Sequence, residues 1–375
     1  MIPFNKPFLT GEETAYIEQA VNSGKISGNG MFTEKCQYFF EKNYGIKKVL
    51  LTTSCTDALE MCALLLNIKE GDEIIMPSYT FVSTANAFIL RGAKIIFCDS
   101  KRNHPNIDET KIEKLISART KAIVVVHYAG VACEMDTILS IAKKHKLFVV
   151  EDAAQAIESY YKGKLLGSIG HLATFSFHET KNIQCGEGGL LAINDKQFIE
   201  RAEIIWEKGT NRAAFWRDEV DKYNWVDIGS SFLPSEINTA FLYAQLEELK
   251  TIQNKRKSIW KQYYKGLDKL TELGIELPYI PEYATNNAHM FYLICRSEKE
   301  RTKLIEHLKE NKINAVFHYI CLHDSPYYKE KHEGNEMSIA KKYENCLLRL
   351  PLWVGVNDKE VDFIIHNVLK FYKIS

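Results

Sequence analysis

Between Lys47 and about Ile205 the chain carries a series of short, unbroken apolar runs: "KVLL", "DEIIMP", "AKIIFCD", "KAIVVV" and "LFVVED". A strand with one wet face alternates apolar and polar residues, and these runs do not alternate. They demand cover on both faces. The stretches between them, including "CTDALEMCALLLN", "TFVSTANAFILRG" and segments near 109–117 and 135–145, read as helices. Strands and helices in strict succession build a mostly parallel sheet between helix layers, so the expected class is α/β.

Near Asp227 the pattern changes. "SEINTAFLYAQLEELKTIQNKRKSIWKQYYKGL" reads as one long helix with Ile237, Ala240, Phe241 and Ala244 on a buried stripe. A strand "HMFYLIC", a helix near 298–311, a short strand "NAVFHYI" and two helices follow. The last helix starts at Asn357 as N-cap with Glu360 three residues on, and buries Val361, Ile364, Ile365, Val368 and Leu369. The expected organisation is a large domain over 1–235, N-terminal arm included, and a smaller C-terminal α/β domain over 236–375.

Composition narrows the function. Among 375 residues, Lys+Arg and Asp+Glu both number 48, which leaves no basic excess for a nucleic-acid or membrane-surface partner. The nine cysteines are scattered and form no C-x-x-C pair, which argues against a disulfide framework and for a reducing cytoplasm. The opening "MIPFNKPFLTGEE" lacks the order of a signal peptide, and no apolar run has the length of a membrane span.

Ligands of open parallel sheets bind beyond the carboxyl ends of the strands, so the residues after each run carry the search. "TTSCTDALE" opens a helix at Ser54 or Cys55, whose free N–H groups suit a phosphate, although Ser54 and Asp57 would equally serve as plain caps. Phe81 in "SYTFVSTANA" would stack on a flat ring or simply join the core. His127 in "HYAG" is either an acid/base group or a structural turn residue. Asp152 in "EDAAQA" ends a buried strand and needs a partner: a protonated pyridine nitrogen, an arginine or a backbone turn.

Lys181 lies in "FHETKNIQCGEGG", between two strand-like segments. Taken alone it is a solvated lysine. Beside a phosphate-ready helix, a stacking aromatic and a buried aspartate, it fits a pyridoxal 5′-phosphate site. The glycines that follow would let the backbone pass close to cofactor and substrate, with Glu187 facing the substrate. "HETKN" lacks the second histidine of a zinc motif, so no metal is expected, and neither a phosphate-binding P-loop nor a dinucleotide glycine fingerprint occurs.

Taken in order, "TTSCTDALE", "PSYTFVSTANA", "VHYAG", "VEDAAQA", "FSFHETKN" and "EGG" resemble the nucleotide-sugar aminotransferases of the DegT/DnrJ/StrS family. The likeness extends from "MIPFNKP" to "NAHMFY" and "FHYICLH". With "KGTNR", it is strongest to members that aminate C4 of TDP-4-keto-6-deoxyglucose. The resemblance implies a type I aminotransferase fold, L-glutamate as donor, a dTDP-linked keto-deoxysugar as acceptor, and a homodimer with shared active sites. It assigns Lys181 to the cofactor aldehyde and Asp152 to the pyridine nitrogen. Ser54, Cys55 and Ser176 fall at phosphate contacts, Phe81 at the stacking position and Gln155 beside the ring oxygen. The segment 208–231 would reach the neighbouring subunit's site.

Two departures stand out. "GSSFL" puts Ser231 and Leu233 where many members have an asparagine and an arginine near the partner's phosphate, and "TKNIQCGEGG" reads one residue shorter than the related turn. For the nucleotide diphosphate, Asn29 in "SGNG" and His318 in "FHYI" are candidates, with a plain turn and a core histidine as the alternatives. The motifs do not separate 4-amination from 3-amination of a dTDP-3-keto-6-deoxyhexose. A non-catalytic cofactor-binding regulator is disfavoured by the intact lysine and aspartate.

Overall fold

The computed structural model describes residues 1–334 and 336–374. The chain opens with helices α1 (Glu13–Asn22) and α2 (Met31–Tyr44). Strands and helices then alternate: β1 (Lys48–Thr52), α3 (Cys55–Leu65), β2 (Glu73–Pro77), α4 (Val82–Ile89), β3 (Lys94–Cys98), α5 (Glu109–Ile112), β4 (Thr120–Val126), α6 (Met135–His145) and β5 (Phe148–Asp152). A small hairpin, β6 (Tyr160–Tyr161) and β7 (Lys164–Leu165), leads to β8 (Leu172–Ser176), β9 (Gly189–Ile193), α7 (Ile199–Trp206) and α8 (Arg212–Trp216).

The large sheet has seven strands in the order β1-β9-β8-β5-β4-β2-β3. Only β9 runs against the rest, pairing antiparallel with both β1 and β8. The unbroken apolar runs have a direct cause. Ile74, Met76, Val124 and Val150 point into the core on one face. Their neighbours Ile75, Ile123, Val125 and Val149 point into the core on the other. Both faces are dry, so neither set of alternate positions tolerates polar residues.

The second region contains α9 (Glu236–Glu247), α10 (Leu249–Gly266), β10 (Phe291–Ile294), α11 (Glu298–Glu310), β11 (Val316–Phe317), α12 (Ser338–Cys346), β12 (Leu347–Leu350) and α13 (Asp358–Phe371). Its sheet is antiparallel in the order β10-β12-β11. Three expectations change here. The single long helix is two, broken at Glu248, whose φ of −96° and ψ of 9° leave the helical region. The middle strand, β12, was not anticipated. It follows α12 directly, with Leu347 already extended, so no glycine or proline announces it. Ala240 and Ala244 are buried as the stripe required, but Ile237 is 37% exposed.

A division at 235 would assign α9 to the second region. In the folded chain α9 lies on α1 and α2, and its Leu242 and Leu246 join the core of the large sheet. Leu249 and Ile252 do the same, whereas Ile259, Trp260 and Tyr263 enter the second core. We therefore place the division inside α10. The N-terminal arm crosses to the second region: Ile2 bridges Ile313 and Trp353 Nε1 donates to the Pro3 carbonyl at 3.3 Å. The α13 start has the expected capping box between Asn357 and Glu360. No helix among the described residues is long and apolar enough to cross a membrane.

Candidate active site

The carboxyl ends of β1, β2, β4, β5 and β8 open on one cavity of ≈ 650 Å³, closed from the other side by the second region. Ser54, Cys55, Phe81, Asp152, Gln155, Ser176, Lys181, Glu187 and His318 all line it. Asn29 and Ser231 do not. Asn29 sits in a left-handed turn at φ 61°, next to Gly28, which abuts Leu233 and Pro234. Ser231 is exposed and bridges to Glu207.

Lys181 is held by the hairpin between β8 and β9. Phe177 N–H donates to the Gly188 carbonyl and Cys185 N–H to the Phe177 carbonyl, both at 2.8 Å, which extends the strand pair beyond its last ladder bond. Lys181 N–H closes a turn on the His178 carbonyl at 2.8 Å. The adjacent Asn182 is buried and ties this turn to the second region. Its Nδ2 donates to Gln253 Oε1 at 2.8 Å and to the Asn287 carbonyl at 2.9 Å. His289 Nδ1 lies 2.9 Å from Asn182 Oδ1, so that nitrogen carries the proton. Burial lowers the Lys181 pKa below its usual 10.5, and Arg349 adds to this, while Cys55 and Asp152 oppose it. Burial thus shifts Lys181 toward its neutral, nucleophilic form.

Asp152 is 5% exposed at the tip of β5. Thr84 Oγ1 donates to its Oδ2 at 2.7 Å and Ala154 N–H to its Oδ1 at 3.1 Å. Neither partner is a cation. Burial consequently raises its pKa, against the lowering effect of Thr84 and Ala154. A buried carboxylate with no directly bonded cation, lining a cavity, fits a protonated ring nitrogen.

His127 has a structural role. Cys133 N–H donates to its Nδ1 at 3.1 Å, so Nε2 carries the proton toward Glu151 Oε2 at 3.0 Å. Glu151 in turn accepts from Gly167 N–H at 2.9 Å and Ile169 N–H at 2.8 Å. Both side chains are fully buried, on the side of β5 that faces away from Asp152, as strand alternation requires.

Ser54 is the N-cap of α3, its Oγ accepting from Asp57 N–H at 3.1 Å. Capping and anion binding are therefore compatible. The cap satisfies Asp57, and the first-turn N–H groups of Cys55 and Thr56 have no intrahelical acceptor. Burial, then the nearby Asp152, pushes the Cys55 thiol up, so it stays protonated. One glycine role differs from expectation. A Cβ on Gly189 would lie 2.3 Å from the Ser54 backbone and 2.4 Å from Cys55 N, so this glycine lets α3 begin against β9. Gly186, by contrast, supplies a left-handed turn at φ 78° with open space around it.

Phe81 is the N-cap residue of α4 and 54% exposed, so it lines the cavity and does not belong to the core. Its ring lies 6.1 Å from that of Tyr319. Gln155 is engaged at both ends, accepting from Ala129 N–H at 2.7 Å and donating to Tyr319 Oη at 3.0 Å. His318 is buried with Nδ1 2.7 Å from Tyr128 Oη, and burial followed by Arg349 holds its pKa well below 6.5. Glu187 is largely exposed, 3.7 Å from His178 Nε2. The sequence reading missed Thr84, Asn182, His289, Tyr319 and Arg349. Asn182 adjoins the lysine in the quoted motif and His289 lies in "NAHMFY", so both were within reach. Arg349 sits on the unanticipated β12.

A buried lysine with a lowered pKa, a buried aspartate with no ion-pair partner among the described residues and a helix N-terminus, all beyond strand ends of one mostly parallel sheet, define a pyridoxal phosphate site on an aminotransferase fold. Residues 7–369 match the DegT/DnrJ/EryC1/StrS aminotransferase family, and the chain belongs to it. It is an enzyme, an aminotransferase that uses pyridoxal 5′-phosphate. The spore coat polysaccharide biosynthesis protein SpsC of Bacillus subtilis is 32% identical over 99% of this chain and 97% of its own length. GDP-perosamine synthase of Escherichia coli O157:H7 is 31% identical over 99% and 98%. Spr1654 from Streptococcus pneumoniae, in its PLP form, superposes with a TM-score of 0.90 at 25% identity, covering 99% of this chain and 98% of that one.

Proposed function

We propose that the protein transfers the amino group of L-glutamate to the C4 keto group of a dTDP-linked 4-keto-6-deoxyhexose. The products are 2-oxoglutarate and a dTDP-4-amino-4,6-dideoxyhexose. The pairing of Lys181 with Asp152 across one cavity carries the amino-transfer reading. The sugar acceptor is supported by relatives named for perosamine and polysaccharide synthesis. The dTDP nucleotide and the C4 position rest on "FSFHETKN" and "KGTNR".

When bound, pyridoxal phosphate supplies an aldehyde carbon that carries the amino group and a ring that accepts an electron pair. The α3 start, with Ser54, Cys55 and Ser176, holds its phosphate. Asp152 keeps the ring nitrogen protonated, and Phe81 covers one ring face. Gln155 stands beside the ring oxygen through its remaining amide N–H. Lys181 Nζ takes the proton from the donor's α-carbon and returns it to the carbon that gains nitrogen. Its lowered pKa makes the lone pair more available for this. Glu187 and His318 line the sugar side.

The proposal includes a homodimer, with 208–231 reaching the neighbouring site and Ser231 taking the place of the inter-subunit phosphate contact. It is supported by the exposed apolar side chains of Trp216, Trp225, Val226 and Ile228 along that segment. Asn29 lies outside the cavity of its own chain, so in this reading its contact too is made across the interface.

The decisive experiment incubates the protein with L-glutamate and, separately, dTDP-4-keto- and dTDP-3-keto-6-deoxyhexoses, and identifies products by NMR. Amination at C4 is expected. Product from the 3-keto sugar alone would move the reaction to C3. A cofactor absorbance band untouched by every amino donor would favour a binding protein over an enzyme of this specificity.

A further inference from the structure

Arg256 is buried and Arg349 half-buried, and neither has a carboxylate partner among the described residues. Arg256 is saturated by backbone carbonyls: Ala288 at 3.1 Å, His289 at 2.7 Å and Leu352 at 3.4 Å. Arg349 is not. It sits mid-sheet on β12, opposite Tyr292 and Val316, and lines the cavity. Its Nη2 makes one long bond to the Phe317 carbonyl at 3.4 Å. Its buried Nε has no acceptor among the described residues. No carboxylate among them lies within ion-pair distance, and the Phe4 ring centroid lies 4.6 Å from its Cζ. Burial lowers its pKa, yet an arginine stays protonated at neutral pH.

A half-buried guanidinium whose buried Nε has no acceptor and which has no counter-ion among the described residues is costly and marks a place where an anion arrives. Two kinds of anion enter this cavity. The cofactor phosphate has its own site at the α3 start, on the large-sheet wall, whereas Arg349 stands on the opposite wall. The field of Arg349 acts on Lys181, His289 and His318, so it works close to the reacting nitrogen. Of the two substrates, only one carries an anion there. The carbon that bears the amino group in an amino acid also bears a carboxylate, whereas the aminated carbon of a sugar is flanked by neutral ring carbons. A planar guanidinium fork matches a carboxylate with two parallel hydrogen bonds.

We propose that Arg349 binds a carboxylate of the amino donor, and of the 2-oxo acid it becomes, on the second-region wall of the cavity. This rests on the amino-transfer reading above. His289 and His318, held neutral by burial, leave Arg349 as the cation available on that wall.

The test uses holoenzyme and follows the two half-reactions separately. With R349Q, the L-glutamate concentration that half-saturates bleaching of the cofactor band should rise about thirtyfold or more. Amination of the keto sugar by the amine-loaded enzyme should stay within about threefold. R349K keeps the charge but loses the fork, and should fall between. Calorimetry with glutarate, an unreactive dicarboxylate, gives a readout independent of turnover: wild type binds it and R349Q does not. Unchanged glutamate and glutarate behaviour in R349Q would overturn the proposal. A defect confined to the sugar half would assign Arg349 to the nucleotide diphosphate instead. If wild type fails to exchange with L-glutamate, the donor assignment falls, and glutarate binding still decides Arg349.

Discussion

Replacing Gly189 with alanine tests whether the α3 start, and with it the phosphate site, depends on one missing side chain. The added Cβ would stand 2.3 Å from the carbonyl carbon and oxygen of Ser54 and 2.4 Å from Cys55 N, where ordinary contact begins at 3.4 Å. All three are backbone atoms in a helix start wedged against β9, so no rotamer change relieves them. The start of α3 must retreat by about 1 Å, at a cost of about 1–3 kcal/mol. The same retreat moves the Cys55 and Thr56 N–H groups away from the phosphate. Losing one charge-assisted hydrogen bond, worth about 1.5–3 kcal/mol, weakens cofactor binding about 10- to 150-fold. Absorbance titration of apoenzyme with pyridoxal phosphate and a thermal melt measure the two effects. Gly186→Ala is the control: its surroundings are open, but its φ of 78° is left-handed. It should lose about 1–2 kcal/mol of stability and keep its cofactor affinity. Gly189→Ala protein that binds cofactor within twofold of wild type, with an unchanged melt, would refute the reasoning.

Other outcomes follow from the buried charges. Lys181→Ala should abolish transamination and the absorbance change with L-glutamate; residual turnover would remove Lys181 from the mechanism. Because burial holds its pKa below 10.5, the folded apoenzyme binds fewer protons than the unfolded chain between the lowered value and 10.5. Stability therefore rises with pH across that window. Lys181→Met should melt higher than wild type at pH 7, with the gain shrinking as pH approaches 10.5 in a pH series of melts. Asp152→Asn can still accept from Thr84, so it should fold while amino exchange falls about 10²-fold or more; stopped-flow rates equal to wild type would exclude its role. Asn182→Ala strands Gln253, the Asn287 carbonyl and His289, and should cost about 1–3 kcal/mol in urea unfolding.

Much of the site was legible because its parts are local. A parallel strand ends in a loop, the loop meets the ligand, and both are contiguous in sequence. Ser54, Phe81, Asp152 and Lys181 could each be read from the residues directly after an apolar run. His127 stood in the same kind of place yet points to the opposite face, where Glu151 and the Cys133 amide consume both ring nitrogens. Position after a strand does not say which face a side chain takes.

The sequence by itself determined the α/β class, the strand ends that meet the cavity and the family, since periodicity and short motifs are properties of neighbouring residues. Tertiary structure alone decided that two helices meet at Glu248, that "LLRL" is the central strand of the second sheet, and that Gly189 makes room for α3. It also decided that Arg349 has no counter-ion among the described residues. Each of these depends on what lies across a gap from residues distant in the chain. An unpaired charge is defined by partners that are missing, and only packing reveals which partners those are.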